Sequence, residues 1–328
     1  MEERRLFREL PFYGVSDQFF RGPLICGCTA IFQEDIMAQN VDTADCNGSC
    51  SGCASAGNCS KKPLHETLHK GSSVKKVIAV MSGKGGVGKS LVTSLLACKV
   101  AKDGYRVGIL DADITGPSIP TAFGVSMEKV EGGVMTDDDG KQVEFIKPVV
   151  SKDGIQLMSM NFLLPRETDP VIWRGPVISG AVRQFWTDVV WDDVDFMFVD
   201  CPPGTGDVPL TVFQSIPVDG IIVVSSPQQL VRVIVEKAVN MANMMNVPVL
   251  GLIENMSYVK CPDCGKEIKI FGESNINGIA EDFGLKVLAH IPIEQNMSVT
   301  VDNGQIEKLD DGYVDDAAAV VEQFIKKI

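Results

Sequence analysis

The chain has 328 residues, of which 45% are hydrophobic and 22% are charged, and its formal net charge is -13 at pH 7. This composition is typical of a globular protein with one or two domains. The acidic charge and the lack of a basic run argue against nucleic-acid binding, which depends on neutralising phosphates. No apolar stretch reaches the roughly 18 residues of a membrane-spanning helix, and no signal peptide is recognisable. We therefore expect no membrane contact and a cytoplasmic location.

The N-terminal part of the chain differs in composition from the rest. Residues 1–36 carry no readable pattern, and Met37 opens a polar segment that resembles a natural start, so we interpret 1–36 as an upstream extension. Residues 37–74 are rich in Asn, Asp, Ser, Gly and Cys and cannot bury an apolar core. We expect a flexible tail unless a metal orders it, with His65 and His69 as solvated linker residues.

This tail carries four closely spaced cysteines, at Cys46, Cys50, Cys53 and Cys59. In a reducing compartment such a cluster indicates metal binding rather than disulfides. Four thiolates on one flexible segment suit either a [4Fe–4S] cluster or a zinc site with four cysteine ligands. Both alternatives remain open at this point.

From residue 75 onward, short apolar runs alternate with helix-like segments. The runs that we interpret as strands are 77–81, 106–111, 196–199, 220–224, 247–253 and 286–291. Helical patterns lie between several of them, at 90–102, 230–245 and 278–283. This alternation predicts a doubly wound α/β fold over residues 75–328, with a mostly parallel sheet covered on both faces.

A glycine-rich loop follows the first strand and opens the first helix, as a phosphate-binding P-loop must. It fits the pattern G-x-x-x-x-G-K-[ST] and consists of Gly83, Lys84, Gly85, Gly86, Val87, Gly88, Lys89 and Ser90. Its glycines let backbone N–H groups turn towards phosphate oxygens. We expect Lys89 to reach the β- and γ-phosphates of ATP and Ser90 to bind Mg²⁺.

Acidic residues follow two other predicted strands. Asp111 and Asp113 come after the second strand, and Asp200 ends the strand at 196–199, where a Walker B carboxylate supports Mg²⁺. Gly204 and Gly206 would let the next loop move when the γ-phosphate is lost. The alternative is that Asp111 and Asp113 only cap a turn.

A second cysteine motif, Cys-Pro-Asp-Cys, places Cys261 and Cys264 before Gly265. Two thiolates cannot complete a tetrahedral zinc site or an iron–sulfur cluster. A symmetric dimer would bring two such pairs together. The motif therefore predicts a homodimer with a shared iron–sulfur cluster, and zinc is the alternative metal. We expect Cys98 and Cys201 to be buried thiols that pack in the core.

Together these motifs resemble a known family. The run K-G-G-V-G-K-S is similar to the deviant Walker A loop of the MinD, ParA and nitrogenase-iron-protein class. With D-A-D-I-T-G-P-S, W-R-G-P, D-C-P-P-G-T-G-D and C-P-D-C, residues 75–328 resemble the Mrp/ApbC-type iron–sulfur carrier ATPases. The resemblance implies that Lys84 reaches the partner's nucleotide across a dimer and that Asp113 positions the attacking water. It also implies that Asp111 belongs to the Mg²⁺ shell and that Asn255 contacts the base.

The function implied by this resemblance is cluster carriage. The protein would take a [4Fe–4S] cluster from donors and pass it to apo iron–sulfur client proteins, with ATP binding and slow hydrolysis as the switch. Lys84, Lys89 and Asp113 would be its catalytic residues. The alternative is a regulatory or positioning ATPase of the MinD/ParA type that holds structural zinc at its cysteines.

Overall fold

The computed structural model describes residues 65–114, 116, 118–136, 140–164, 175–227, 231–310 and 312–326. The extension 1–36 and most of the tail lie outside the described residues, as do Cys46, Cys50, Cys53, Cys59, Trp173 and Arg174. The expectations for these positions therefore stay predictions.

The strands and helices alternate along the chain from residue 74. The strands are β1 (Val74–Met81), β2 (Val107–Asp111), β3 (Glu131–Thr136), β4 (Gln142–Lys147), β5 (Val149–Val150), β6 (Gln156–Met158), β7 (Val194–Asp200), β8 (Gly220–Ser225), β9 (Val249–Glu254), β10 (Val259–Lys260), β11 (Glu267–Ile268) and β12 (Val287–His290). The helices are α1 (Lys89–Lys102), α2 (Ile119–Ala122), α3 (Gly175–Thr187), α4 (Asp207–Ser215), α5 (Val231–Met244), α6 (Ile276–Asp282), α7 (Gln295–Asp302) and α8 (Asp315–Lys326).

The central sheet has the strand order β12-β9-β8-β1-β7-β2-β6-β5. Its pairs are parallel except for the edge strand β5, which runs antiparallel to β6. The chain passes from β1 to β2 on one side of β1 and later from β7 to β8 on its other side, so the strand order reverses at β1. In such folds ligands bind at this reversal, outside the carboxyl ends of the strands. The predicted doubly wound, mostly parallel α/β fold is confirmed.

The sheet separates two apolar cores because successive side chains of a strand point to opposite faces. In β7, Met197 and Val199 belong to one core, whereas Phe196 and Phe198 belong to the other. Helices α3, α4, α5 and α6 cover the first face, and α1, α2, α7 and α8 cover the second. Six of the eight strands of this sheet are nearly continuous apolar runs, which is why the sequence predicted them. The short strands β5 and β6 were not predicted.

Elements on the surface were not predicted. The pairs β3–β4 and β10–β11 form two small antiparallel sheets outside the central one. The residues of β3 are exposed or half-buried, and those of β11 are exposed. Apart from Ile146 of β4, which is buried in the core, neither pair has a buried face, so neither has the apolar pattern on which a strand prediction depends. Among the described residues, no helix is both long enough and apolar enough to cross a bilayer.

The segment that precedes β1 packs on the domain. The backbone N–H of Glu66 donates to Ser215 O at 2.8 Å, and Trp186 Nε1 donates to Glu66 O at 3.1 Å. Leu68 packs against the core, and His69 is only 6% exposed. The expectation that His69 is solvated was therefore wrong, because the apolar contact of Leu68 and the two hydrogen bonds hold this segment against the domain.

Candidate functional site

The P-loop connects β1 to α1 at the carboxyl edge of the sheet. Gly86 and Gly88 have φ angles of 78° and 77°, in the left-handed region that glycine adopts without strain. Gly88 is the N-cap residue of α1. The N-terminus of a helix carries unpaired N–H groups and a partial positive charge, so the loop can hold an anion despite the acidic charge of the chain.

A cleft of about 430 Å³ lies over this loop. Its lining includes Gly85, Lys89 and Ser90 from the loop and helix, Asp113 from beyond β2, and Pro203 from beyond β7. The volume lies within the range of about 300–1,000 Å³ that small-molecule sites occupy. The structure thus brings most of the predicted phosphate loop and Asp113 to one cleft.

Lys89 is buried beside two carboxylates. Its Nζ atom lies 2.8 Å from Asp200 Oδ1 and 3.5 Å from Asp113 Oδ2. Burial acts to lower the pKa of Lys89, but the charge of Asp200 and its hydrogen bond outweigh that effect and raise it. Lys89 is therefore a permanent cation at the base of the cleft, where it can neutralise phosphate oxygens.

Asp200 is fully buried and holds three side chains of α1. In addition to the Lys89 contact, it accepts hydrogen bonds from Ser90 Oγ at 2.5 Å and Thr93 Oγ1 at 2.8 Å. Sequence reasoning missed Thr93. Its signal was its spacing, because residues four apart on a helix share a face, which places Thr93 one turn beyond Lys89.

Asp111 lies directly beside Asp200 in the sheet, since the two residues are paired across β2 and β7. Asp111 is buried and accepts hydrogen bonds from Ser159 Oγ at 2.8 Å and from Asp113 N at 3.1 Å. Burial, followed by the charge of Asp200, raises the pKa of Asp111. Two adjacent carboxylates and the Ser90 hydroxyl are hard oxygen donors that fit Mg²⁺, whose charge would relieve this repulsion. Ser159 was not predicted and has no sequence signal.

Ser82, the residue before the P-loop, connects the P-loop to the loop that follows Asp200. Gly204 N donates to Ser82 O at 2.7 Å, and Ser82 Oγ donates to Lys84 O at 2.9 Å. Gly204 has a φ of 90°, in the left-handed region that glycine adopts without strain. Lys84 is exposed on the loop, in contrast to the buried Lys89. Its contact with a partner's nucleotide stays a prediction.

Asn255 lies behind the P-loop and is 2% exposed. Its Nδ2 atom donates a hydrogen bond to Val87 O at 2.9 Å. A Cβ atom at Gly88 would lie 2.1 Å from the same nitrogen, so only glycine leaves room for this contact. The structure thus gives Asn255 a role in holding the loop, and its predicted contact with the base stays a prediction.

Cys261 and Cys264 lie on the turn between β10 and β11. Cys261 N donates to Lys266 O, and Gly265 N donates to Cys261 O, each at 2.9 Å. Both thiols are free, and Cys264 is exposed whereas Cys261 is half-buried. Backbone N–H groups of Cys264 and Asp263 donate to Cys261 and lower its pKa. This favours the thiolate, which is the form that binds metals.

The two cysteines do not form a complete metal site by themselves. Within the part of the chain that the structure describes, no three His, Cys, Asp or Glu side chains are grouped to hold a metal ion. The other two described cysteines, Cys98 and Cys201, are buried in the core as predicted. Further ligands for a tetrahedral metal at the hairpin must come from outside these residues.

A sequence model of the ParA group, described as the NUBPL iron-transfer P-loop NTPase, matches residues 73–328. The chain belongs to this family. The iron–sulfur carrier family predicted from the motifs is thus confirmed, and nucleotide binding and hydrolysis are the general properties of P-loop NTPases. The alternative function, a regulatory ATPase of the MinD/ParA type, is less well supported, because the matching family model describes an iron-transfer NTPase.

Curated relatives of this NUBPL-type chain carry the name iron-sulfur cluster carrier protein. The protein from Clostridium perfringens is 44% identical over 270 residues, which are 80% of this chain and 94% of the relative. The protein from Methanocaldococcus jannaschii is 41% identical over 293 residues, which are 87% of this chain and 98% of the relative.

Solved structures also resemble the NUBPL-type chain. A nucleotide-binding protein from Archaeoglobus fulgidus in complex with ADP is 41% identical, with a TM-score of 0.63 over 73% of this chain and 90% of that one. MinD in the MinC:MinD complex from Aquifex aeolicus has a TM-score of 0.53 at 18% identity, over 76% of this chain and 96% of that one. At this identity the MinD likeness shows the fold alone.

Proposed function

We propose that this NUBPL-type NTPase carries a [4Fe–4S] cluster between the Cys261 and Cys264 pairs of two copies and delivers it to apo client proteins. The main support is the hairpin that carries both cysteines, in which hydrogen bonds lower the pKa of Cys261. This hairpin follows β9 and lies at the same edge of the sheet as the P-loop. The names of the relatives support iron–sulfur clusters as the cargo. ATP binding and slow hydrolysis serve as the switch.

The nucleotide half of the mechanism uses the buried charges around Lys89. A phosphate oxygen that binds Lys89 Nζ competes with Asp113, which has the longer of the two carboxylate contacts at 3.5 Å. Asp113 is then released to orient the water that attacks the γ-phosphate. Mg²⁺ held by Ser90, with Asp200 and Asp111 behind it, would supply charge stabilisation of the transferring phosphoryl group. Lys84 of each copy neutralises the nucleotide of the other.

The cysteine half requires a second copy. One pair supplies two thiolates, and a cluster or a tetrahedral zinc ion needs four, so two hairpins related by a twofold axis complete the site. The predicted tail cysteines Cys46, Cys50, Cys53 and Cys59 would hold a separate cluster. The rival function is a regulatory ATPase with zinc at these positions, which thiolate ligands also favour.

Anaerobic reconstitution with iron and sulfide tests the proposal. We would use a variant with serine at the four tail cysteines, so that absorbance at about 400 nm and iron content report only on the hairpin. We expect one cluster per dimer, lost in Cys261→Ser and retained in the matched control Cys98→Ala. Stoichiometric zinc without a chromophore would overturn the proposal and favour the rival.

A further inference from the structure

Two adjacent residues at the end of β9 connect the P-loop to the cysteine hairpin. Asn255 donates its side-chain hydrogen bond to Val87 O in the P-loop. Glu254 accepts hydrogen bonds from Ser257 Oγ at 2.5 Å and from Ser274 Oγ. Ser257 precedes β10 and Ser274 follows β11, so one carboxylate holds both ends of the segment that carries the cysteines.

The Glu254 carboxylate is well suited to hold two hydroxyls. Its side chain is 1% exposed, and His290 Nδ1 lies 3.2 Å from Oε2. Burial acts to raise the pKa of Glu254, but the hydrogen bonds from His290, Ser257 and Ser274 outweigh burial and lower it. An ionised carboxylate accepts hydrogen bonds on both oxygens, whereas a glutamine amide has only one acceptor oxygen.

The backbone between the two contacts is constrained. Met256 has a φ of 58°, in the left-handed region that non-glycine residues rarely adopt. Asn255 N donates to Ser225 O at 2.8 Å, and Ser257 N donates to Ile291 O at 2.9 Å. Hydrogen bonds to the last residue of β8 and to the residue after β12 therefore hold both neighbours of Met256. Such strain persists where the surroundings determine the conformation, and it is concentrated in switch regions.

The contact of Asn255 lies on a peptide unit that a nucleotide would bind from the other side. The C=O of Val87 and the N–H of Gly88 belong to one trans peptide, in which they point in opposite directions. A phosphate that accepts a hydrogen bond from Gly88 N–H polarises this peptide and strengthens the hydrogen bond that Val87 O accepts. The hydrogen bond of Asn255 therefore depends on the position of this peptide.

We propose that Asn255 and Glu254 are positioning residues that transmit the nucleotide state of the P-loop to the Cys261–Cys264 hairpin. Asn255 moves with the Val87 peptide to which it is hydrogen-bonded. Glu254, the preceding residue, then shifts Ser257 and Ser274 at the two ends of the hairpin. The inference rests on the proposed function for its purpose, but the coupling itself concerns the thiols and needs no cluster.

The test measures alkylation of Cys261 and Cys264 in the full-length, reduced, cluster-free protein. Iodoacetamide labelling is followed by peptide mass spectrometry, with and without Mg²⁺ and a non-hydrolysable ATP analogue. We expect the analogue to change the labelling rate of wild type by about fivefold or more, as for typical allosteric coupling. The variant Ser257→Ala/Ser274→Ala should lose this response and bind the analogue with unchanged affinity.

Three further variants make the result specific. Ser257→Thr/Ser274→Thr keeps both hydroxyls and should restore the response, and Ser298→Ala, an exposed serine outside the link, should leave it unchanged. Glu254→Gln should lose the response to the analogue. If Glu254→Gln does not fold, the Ser257→Ala/Ser274→Ala variant provides the test. A full response in Ser257→Ala/Ser274→Ala would overturn the proposed coupling through Glu254 but not the nucleotide switch. No response in wild type overturns the link and the nucleotide switch, whereas the reconstitution experiment separately decides cluster carriage.

Discussion

Lys89 and Asp200 form a buried ion pair beneath the nucleotide cleft, with 2.8 Å between Nζ and Oδ1. Their side chains are 5% and 0% exposed. Buried charges are tolerated when they are paired and hydrogen-bonded, and here Ser90 and Thr93 supply the remaining bonds to Asp200. The pair joins the start of α1, which carries Lys89 and Ser90, to the end of β7, which carries Asp200.

Replacing Asp200 with asparagine should destabilise the fold as well as the site. The change leaves Lys89 buried without its main counter-charge, for which we expect a loss of about 3 kcal/mol in the free energy of unfolding. Urea unfolding measures this loss. The control is Asp103→Asn, which removes a surface pair with Lys99 and should cost about 0.5 kcal/mol or less. Equal losses in the two variants would contradict a structural role for the buried pair.

Gly88→Ala should abolish tight nucleotide binding. The residue has a left-handed φ of 77°, and an added Cβ would lie 2.1 Å from Asn255 Nδ2, so the P-loop must move. We expect ATP affinity to fall at least about tenfold and stability to fall by about 1–3 kcal/mol. Calorimetric titration measures the affinity. Gly180→Ala, in open space within α3, is the control and should stabilise by about 0.5 kcal/mol.

Lys84 and Lys89 should differ in what their removal changes. Lys89→Ala should abolish ATP binding because it removes the buried cation of the cleft. Lys84→Ala changes an exposed side chain and should alter stability by about 0.5 kcal/mol or less, with ATP binding retained. If Lys84 contacts the partner's nucleotide, the nucleotide-dependent dimer should be lost in light scattering and phosphate release should fall about tenfold or more. A dimer that persists in Lys84→Ala would refute the predicted contact.

The described cysteines should react in an order set by their pKa values. Backbone hydrogen bonds lower the pKa of Cys261, so its thiolate forms at a lower pH than the thiolate of an ordinary cysteine, whose pKa is about 8.5. Burial raises the pKa of Cys201 to about 12 and also raises that of Cys98. Alkylation followed by peptide mass spectrometry across pH should label Cys261 first, and Cys201 and Cys98 only after unfolding. Early labelling of Cys201 would contradict the packing.

Asp195 should contribute to stability in a pH-dependent way. Burial acts to raise its pKa, but hydrogen bonds from Lys75 and Arg106 outweigh burial and lower it to about 2. A carboxyl whose pKa is lower in the folded state stabilises above its unfolded value, and this stability is lost as pH falls towards 2. Because Lys75 and Arg106 are half exposed, we expect Asp195→Asn to cost about 1 kcal/mol at neutral pH. Urea unfolding should show this difference shrink as pH falls from about 5, and a constant difference would contradict it.

Six strands of the central sheet and the motifs were predictable because each is local in sequence, whereas β6, with three residues, is too short to give such a signal. A buried strand is a short apolar run, and the P-loop depends on glycines and a lysine within residues 83–90. The hairpin β10–β11 and the edge strand β5 could not be predicted, because each strand has only two residues. Their pairing is decided by neighbours and not by a periodic pattern.

The sequence by itself determined the fold class, the phosphate loop, the Walker B aspartate and the cysteine pair, since these are signals of adjacent residues. Only the tertiary structure decided how they are connected. Asn255 contacts Val87 from 168 residues away, and Ser90 reaches Asp200 across 110 residues. These contacts exist because the sheet places the carboxyl ends of β9, β8, β1 and β7 side by side, an order that no local pattern specifies.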